Sequence, residues 1–187
     1  SLALKADGGV LAWGNGNNGA LGNGASRSSL IPQPVAGLPV AVREIAGGVD
    51  FSLARDANGT IWSWGLSDQG RLGNGQFAGK QTTPQALTSI SGITGIAAGA
   101  THALAIRSDG SVSSWGGNRT GQLGIGNTTD AAVPQRVAGL SNIIAVAAGG
   151  LHSLALERGG NVWAWGYNNS GALGDGTLTD RLVPVRV

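Results

Sequence analysis

The chain contains no cysteine and no methionine. The first absence excludes disulfides, thiolate metal sites and a cysteine nucleophile. The second means that Ser1 is not a translation start, so the chain is expected to be processed or to be part of a longer one. Charge is also sparse: Asp, Glu, Lys and Arg together make 12% of the 187 residues, and the net charge is +2. The basic residues stand singly, and only Lys5 and Lys80 are lysines. No row of cations is available to neutralise successive phosphates, so nucleic acid is not expected as a partner. No run of about twenty apolar residues occurs, so no membrane insertion is expected. No stretch keeps the 3.6-residue apolar period that a helix needs.

What the chain has is glycine, 34 residues of it, together with six tryptophans. The glycines show no triplet period; they return at fixed places within a repeat. Trp13-Gly14 recurs as Trp64-Gly65, Trp115-Gly116 and Trp165-Gly166, at steps of 51, 51 and 50 residues. Self-similarity at a period of about fifty residues marks a propeller, solenoid or array. Hydrophobic content of 41% suffices for a core. Four copies of one unit are therefore expected: residues 1–51, 52–102, 103–152 and a shortened 153–187.

Each copy carries the same phrase. Ser153-Leu154-Ala155-Leu156, for example, precedes a Gly159-Gly160 turn and Val162-Trp163-Ala164-Trp165. Asp7-Gly8, Asn58-Gly59 and Asp109-Gly110 stand in the same place, and such pairs accept the positive φ of a hairpin turn. After Trp-Gly come a polar loop, Leu-Gly-x-Gly, a second polar loop and a proline, taken as Pro34, Pro84, Pro134 and Pro184. Proline cannot donate to a ladder, so each of these prolines belongs at the start of its strand or on an edge strand. A last apolar run covers 42–47, 93–98 and 143–148. The sum is about four strands per repeat: an all-β propeller of four-stranded blades, seen as a partial arc of about four. A β-solenoid is the second choice.

The phrase Ser-Leu-Ala-Leu, Asp-Gly, Val-x-x-Trp-Gly, Gly-x-Leu-Gly-x-Gly, Pro, Ile-x-x-Ala-Ala-Gly, x-His resembles the repeat of the regulator of chromosome condensation (RCC1-like) family, in a style similar to its bacterial members. The likeness covers the whole chain. It implies a seven-bladed ring, for which this chain is too short. An open arc exposes sheet edges, so the chain is expected to be part of a larger propeller. The alternative is arc-to-arc self-association.

Most candidate chemistry fails on inspection. Gly14 to Gly19 fits G-x-G-x-x-G, but no helix follows to face a pyrophosphate, so no cofactor is expected. His102 and His152 share a slot with Phe51, which makes it a packing slot. There an imidazole fills space while satisfying a carbonyl of the neighbouring blade, and no metal is expected. Asp7 and Asp109 belong to turns. The repeated tryptophans are expected to pack between blades. A light-sensing member of the family uses tryptophans, but its Gly-Trp-Arg-His-Thr repeats are missing here. No enzyme site is expected.

When a framework repeats and its loops do not, specificity lies in the loops. Asn17, Asp68, Arg71, Arg119, Tyr167 and Asn168 are the expected protein contacts. The resemblance implies a non-enzymatic binding scaffold, exported or on a bacterial surface, as in a family member that inhibits β-lactamases; a cytoplasmic setting is the alternative. It also implies two other functions: a nucleotide exchange factor for a small GTPase with chromatin association, or a purely structural repeat module. The exchange factor needs an inserted wedge and a basic tail, and the loops here are short and near-uniform.

Overall fold

The computed structural model describes residues 1–39 and 41–187. The expected strands form, in four antiparallel sheets ordered along the chain. The first holds β1 (Leu2–Leu4), β2 (Val10–Gly14) and β3 (Ser29–Pro34). The second holds β4 (Val42–Gly47), β5 (Phe51–Asp56), β6 (Ile61–Leu66) and β7 (Lys80–Ala86). The third holds β8 (Ile93–Ala98), β9 (His102–Arg107), β10 (Val112–Gly116) and β11 (Ala131–Arg136). The fourth holds β12 (Ile143–Ala148), β13 (His152–Glu157), β14 (Val162–Gly166) and β15 (Arg181–Arg186). In every sheet the strands pair in sequence order, as a meander. Separate meanders are blades of a propeller, and a solenoid is excluded. The described residues hold one 3-10 turn, Asp68–Gly70, and no helix long and apolar enough to cross a membrane.

Two details correct the sequence reading. The run 42–47 and its counterparts open the following sheet rather than closing the preceding repeat, so sheets and sequence repeats are out of phase. The three-stranded sheet is accordingly the first, not the last. Register also moves one proline. Gln33, Gln85, Gln135 and Val185 occupy equivalent pairs, which aligns Pro32, not Pro34, with Pro84, Pro134 and Pro184. In each sheet this proline lies where the register skips opposite the Trp-Gly tryptophan, on the outermost strand. Its missing N–H therefore costs no ladder bond.

The core lies between sheets. Trp64, Trp115 and Trp165 are fully buried, and each indole donates from Nε1 to a carbonyl of the preceding sheet's loop: Ala20, Arg71 and Gln122, at 3.0, 3.1 and 2.9 Å. A buried indole has to place its N–H, and the preceding blade supplies the acceptor. Leu-Gly-x-Gly explains itself here. Gly73 has φ +71°, and a Cβ on it would stand 2.8 Å from Trp115 Nε1. Gly22 and Gly124 meet Trp64 and Trp165 in the same way. Close to the axis, Val49 N donates to Ala100 O and Ala100 N to Gly150 O, tying successive sheets by backbone bonds.

Candidate protein-binding surface

Antiparallel order sorts the connections onto two faces. One face carries the tight hairpins and the links between sheets. The other carries the long loops after each Trp-Gly, together with the short turns 48–50, 99–101 and 149–151. In three sheets a loop is tied to its turn by one backbone bond: Leu66 N to Asp50 O, Gly117 N to Thr101 O and Tyr167 N to Leu151 O. Loops and turns thus form one continuous surface on a rigid base.

Inside the long loops of the last three sheets a polar residue acts as a staple; the first sheet has Gly16 in that place. The Asn168 amide donates to the Thr177 and Thr179 carbonyls at 3.0 and 3.1 Å, and its Oδ1 accepts from Leu173 N. Asn118 does the same with Asn127 O, Thr129 O and Leu123 N. Their backbone N–H groups donate to Asp180 and Asp130, both at 2.7 Å. In the second sheet Ser67 takes this place, with its hydroxyl on Gln76 O. A loop whose buried amides and carbonyls are met by one side chain holds its shape without a helix or strand.

All six residues expected as contacts lie on this face, spread over four sheets, but two are withdrawn from it. Asn168 is fully buried and its amide is used within its own loop. Arg71 is 6% exposed; its guanidinium donates to Asp68 O, Val49 O and Gln69 Oε1. Burial pulls the Arg71 pKa down, with Asp68, Asp50 and Asp130 opposing. Sequence cannot tell a guanidinium that points outward from one that closes its own loop. Asn17, Asp68 and Arg119 are exposed, and Tyr167 is half-buried. The sequence reading missed the apolar residues of this face: Val49, Phe77, Leu151 and Leu178 are 56, 55, 40 and 64% exposed. A large apolar side chain inside a polar, Gly-rich loop, as in Gly75-Gln76-Phe77-Ala78-Gly79, was the available signal.

The histidine slot is a packing slot, with one change of partner. His102 Nε2 lies 2.9 Å from the Ser153 hydroxyl of the next sheet, and that hydroxyl donates to Gln122 O at 2.7 Å. The neighbouring sheet thus offers a hydroxyl where a carbonyl was expected, and Gln122 O belongs to the loop of His102's own sheet. A histidine beside a serine is also how a nucleophile and its base are arranged, yet both residues are 0% exposed and no substrate reaches them. The stretch Gly14 to Gly19 runs on as a loop to Leu21, with no helix after it.

The model of the RCC1-like domain matches residues 1–187. The human E3 ubiquitin-protein ligase HERC2 is 41% identical over 132 residues, which is 69% of this chain and 3% of HERC2. The ultraviolet-B receptor UVR8 of Arabidopsis thaliana is 38% identical over 137 residues, 71% of this chain and 31% of the receptor. Among solved structures, human WBSCR16 superposes with a TM-score of 0.91 at 29% identity, over all of this chain and 50% of that one. Prp20p of Saccharomyces cerevisiae, a structure described with its binding to Gsp1p and histones, gives 0.88 at 28%, over all of this chain and 48% of its own. The chain therefore spans about half the length of these solved relatives and a third or less of the two curated ones.

Proposed function

For a chain that belongs to the RCC1-like domain family over its whole length, we propose a non-enzymatic scaffold that binds a protein through the loop face. One observation carries this reading. On that face the groups that build the loops are consumed internally, while Asn17, Asp68, Arg119 and Tyr167 point outward among exposed apolar residues. Aromatic and arginine anchors with apolar neighbours are what dominates protein interfaces. Exported or bacterial-surface placement is part of the same proposal. Its support is compositional, and fractionation of the source cells tests it.

The experiment is a capture with immobilised protein, comparing the unaltered chain with a variant carrying Asp68→Ala, Arg119→Ala and Tyr167→Ala. Loss of a captured protein with unchanged thermal unfolding supports the reading. Undiminished capture sinks it. A second reading is favoured by the likeness to Prp20p and its binding to Gsp1p and histones: a regulator of a small GTPase with chromatin association. Accelerated release of labelled GDP from such a GTPase would replace the first reading with the second.

A further inference from the structure

The face opposite the loops holds a departure from the repeat. In the sequence the basic residues stand apart; the fold gathers four of them. On the hairpin side of the third and fourth sheets Arg107, Arg136, Arg158 and Arg186 meet only two carboxylates, Asp109 and Glu157. Elsewhere cations and carboxylates are equal in number: five of each on the loop face, three of each on the hairpin side of the first two sheets. The whole net charge of the chain therefore lies on the hairpin side of these two sheets.

Both carboxylates are already engaged. Asp109 Oδ1 accepts from the Ser111 hydroxyl and N–H at 2.6 and 2.9 Å. Glu157 accepts from Asn161 and Trp163 at 2.9 and 3.3 Å. Neither forms an ion pair within 4 Å of a cation among the described residues. Between the two sheets a crevice of about 390 Å³ is lined by Arg107 and Arg158, with Thr94, Ser108, Asn142 and Ile144 around them. Asp109 also lines it. Backbone bonds hold its rim: Arg158 N to Asn142 O at 2.9 Å and Ile143 N to Gly110 O at 3.0 Å. Equivalent positions between the second and third sheets carry Asp56 for Arg107 and Ser108 for Arg158. The arginine pair belongs to this crevice alone.

We propose that this crevice binds an acidic segment of a partner protein, with Arg107 and Arg158 taking its carboxylates and Ile144 an adjoining apolar side chain. Paired guanidiniums with hydroxyl and amide neighbours suit planar carboxylates. A nucleic acid fits less well, because only two cations line the crevice, too few to follow a backbone of successive phosphates. The surface is distinct from the loop face, so either assignment can fail without the other.

The test uses fluorescence anisotropy of a short labelled peptide alternating glutamate with leucine, titrated with the full chain at low salt. Saturable binding that weakens with added salt is expected. The double variant Arg107→Ala, Arg158→Ala should bind at least about tenfold more weakly, the size expected for losing charge-assisted bonds. Arg158→Lys, which keeps the charge but loses the planar fork, should fall between the unaltered chain and the double variant, and Arg27→Ala, a charge removed from the other face, should keep all of the binding. No binding, equal loss with Arg27→Ala, or equally tight binding of oligothymidylate would overturn the proposal. Unchanged circular dichroism of the double variant separates lost contacts from lost folding.

Discussion

His102 and Ser153 pair across two sheets at 2.9 Å, in a place where the neighbouring junction carries Phe51 and Ala103. Phe51 and Ala103 lie in one apolar cluster. A ring that can donate faces a hydroxyl; a ring that cannot faces a methyl group. Because the serine hydrogen is directed to Gln122 O, the serine accepts, and the histidine carries its proton on Nε2. Nδ1 is then left without a partner, as observed. Ser153→Ala strands a buried N–H and should cost about 1–3 kcal/mol in urea unfolding. Adding His102→Phe, which copies the other junction, should return part of that loss. Additive costs in the double variant would show that the two residues are not coupled.

Stability should fall on mild acidification. Burial, with the His152 charge as a smaller cause, pulls His102 from 6.5 to about 4. An unfolded chain therefore takes up this proton first as pH drops below about 6.5, and the folded state is disfavoured until about 4. The single site accounts for a loss of up to about 3 kcal/mol over that window. Unfolding midpoints between pH 7 and 4 measure it. His102→Phe should flatten the dependence, and an unaltered slope in that variant would refute the assignment.

Two glycines with similar backbone angles should respond differently to alanine. Gly73 (φ +71°) has Trp115 Nε1 at 2.8 Å from its would-be Cβ, whereas Gly139 (φ +80°) has nothing within 4 Å. Both substitutions place alanine in the left-handed region, at about 1–2 kcal/mol. Only Gly73→Ala also separates two sheets, so it should cost roughly twice as much or more. Thermal unfolding of the pair decides, and equal costs would mean that the tryptophan contact has slack.

Adjacent residues of one loop should separate folding from binding. Asn168→Ala removes bonds to Thr177 O, Thr179 O and Leu173 N, and should destabilise by about 3 kcal/mol. Tyr167→Ala, half-exposed next to it, should leave unfolding within about 0.5 kcal/mol and act on partner capture. A stability loss as large in Tyr167→Ala would place the tyrosine in the framework.

Strand content, hairpin positions and the buried role of Trp64, Trp115 and Trp165 were legible in the residues, because each is set by local periodicity and turn chemistry; Trp13, with no sheet before it, is only half-buried. Phase was not. A periodic sequence has no preferred starting point, and only hydrogen bonding showed that the run at 143–148 joins β13 and not the strand before it. The same limit misaligned Pro34, since spacing alone ignores the register skip that brings Pro32 into place.

The chain by itself determined that this is an array of short β meanders stacked through tryptophan, because fifty-residue periodicity and Asp-Gly or Asn-Gly turns admit little else. The tertiary structure alone decided which polar side chains are free. Arg71 and Asn168 turn inward to satisfy their own loops, while arginines far apart in sequence, Arg107 and Arg158, come to line one crevice. Burial and charge density depend on which neighbours the fold supplies, and the linear order of residues does not contain that.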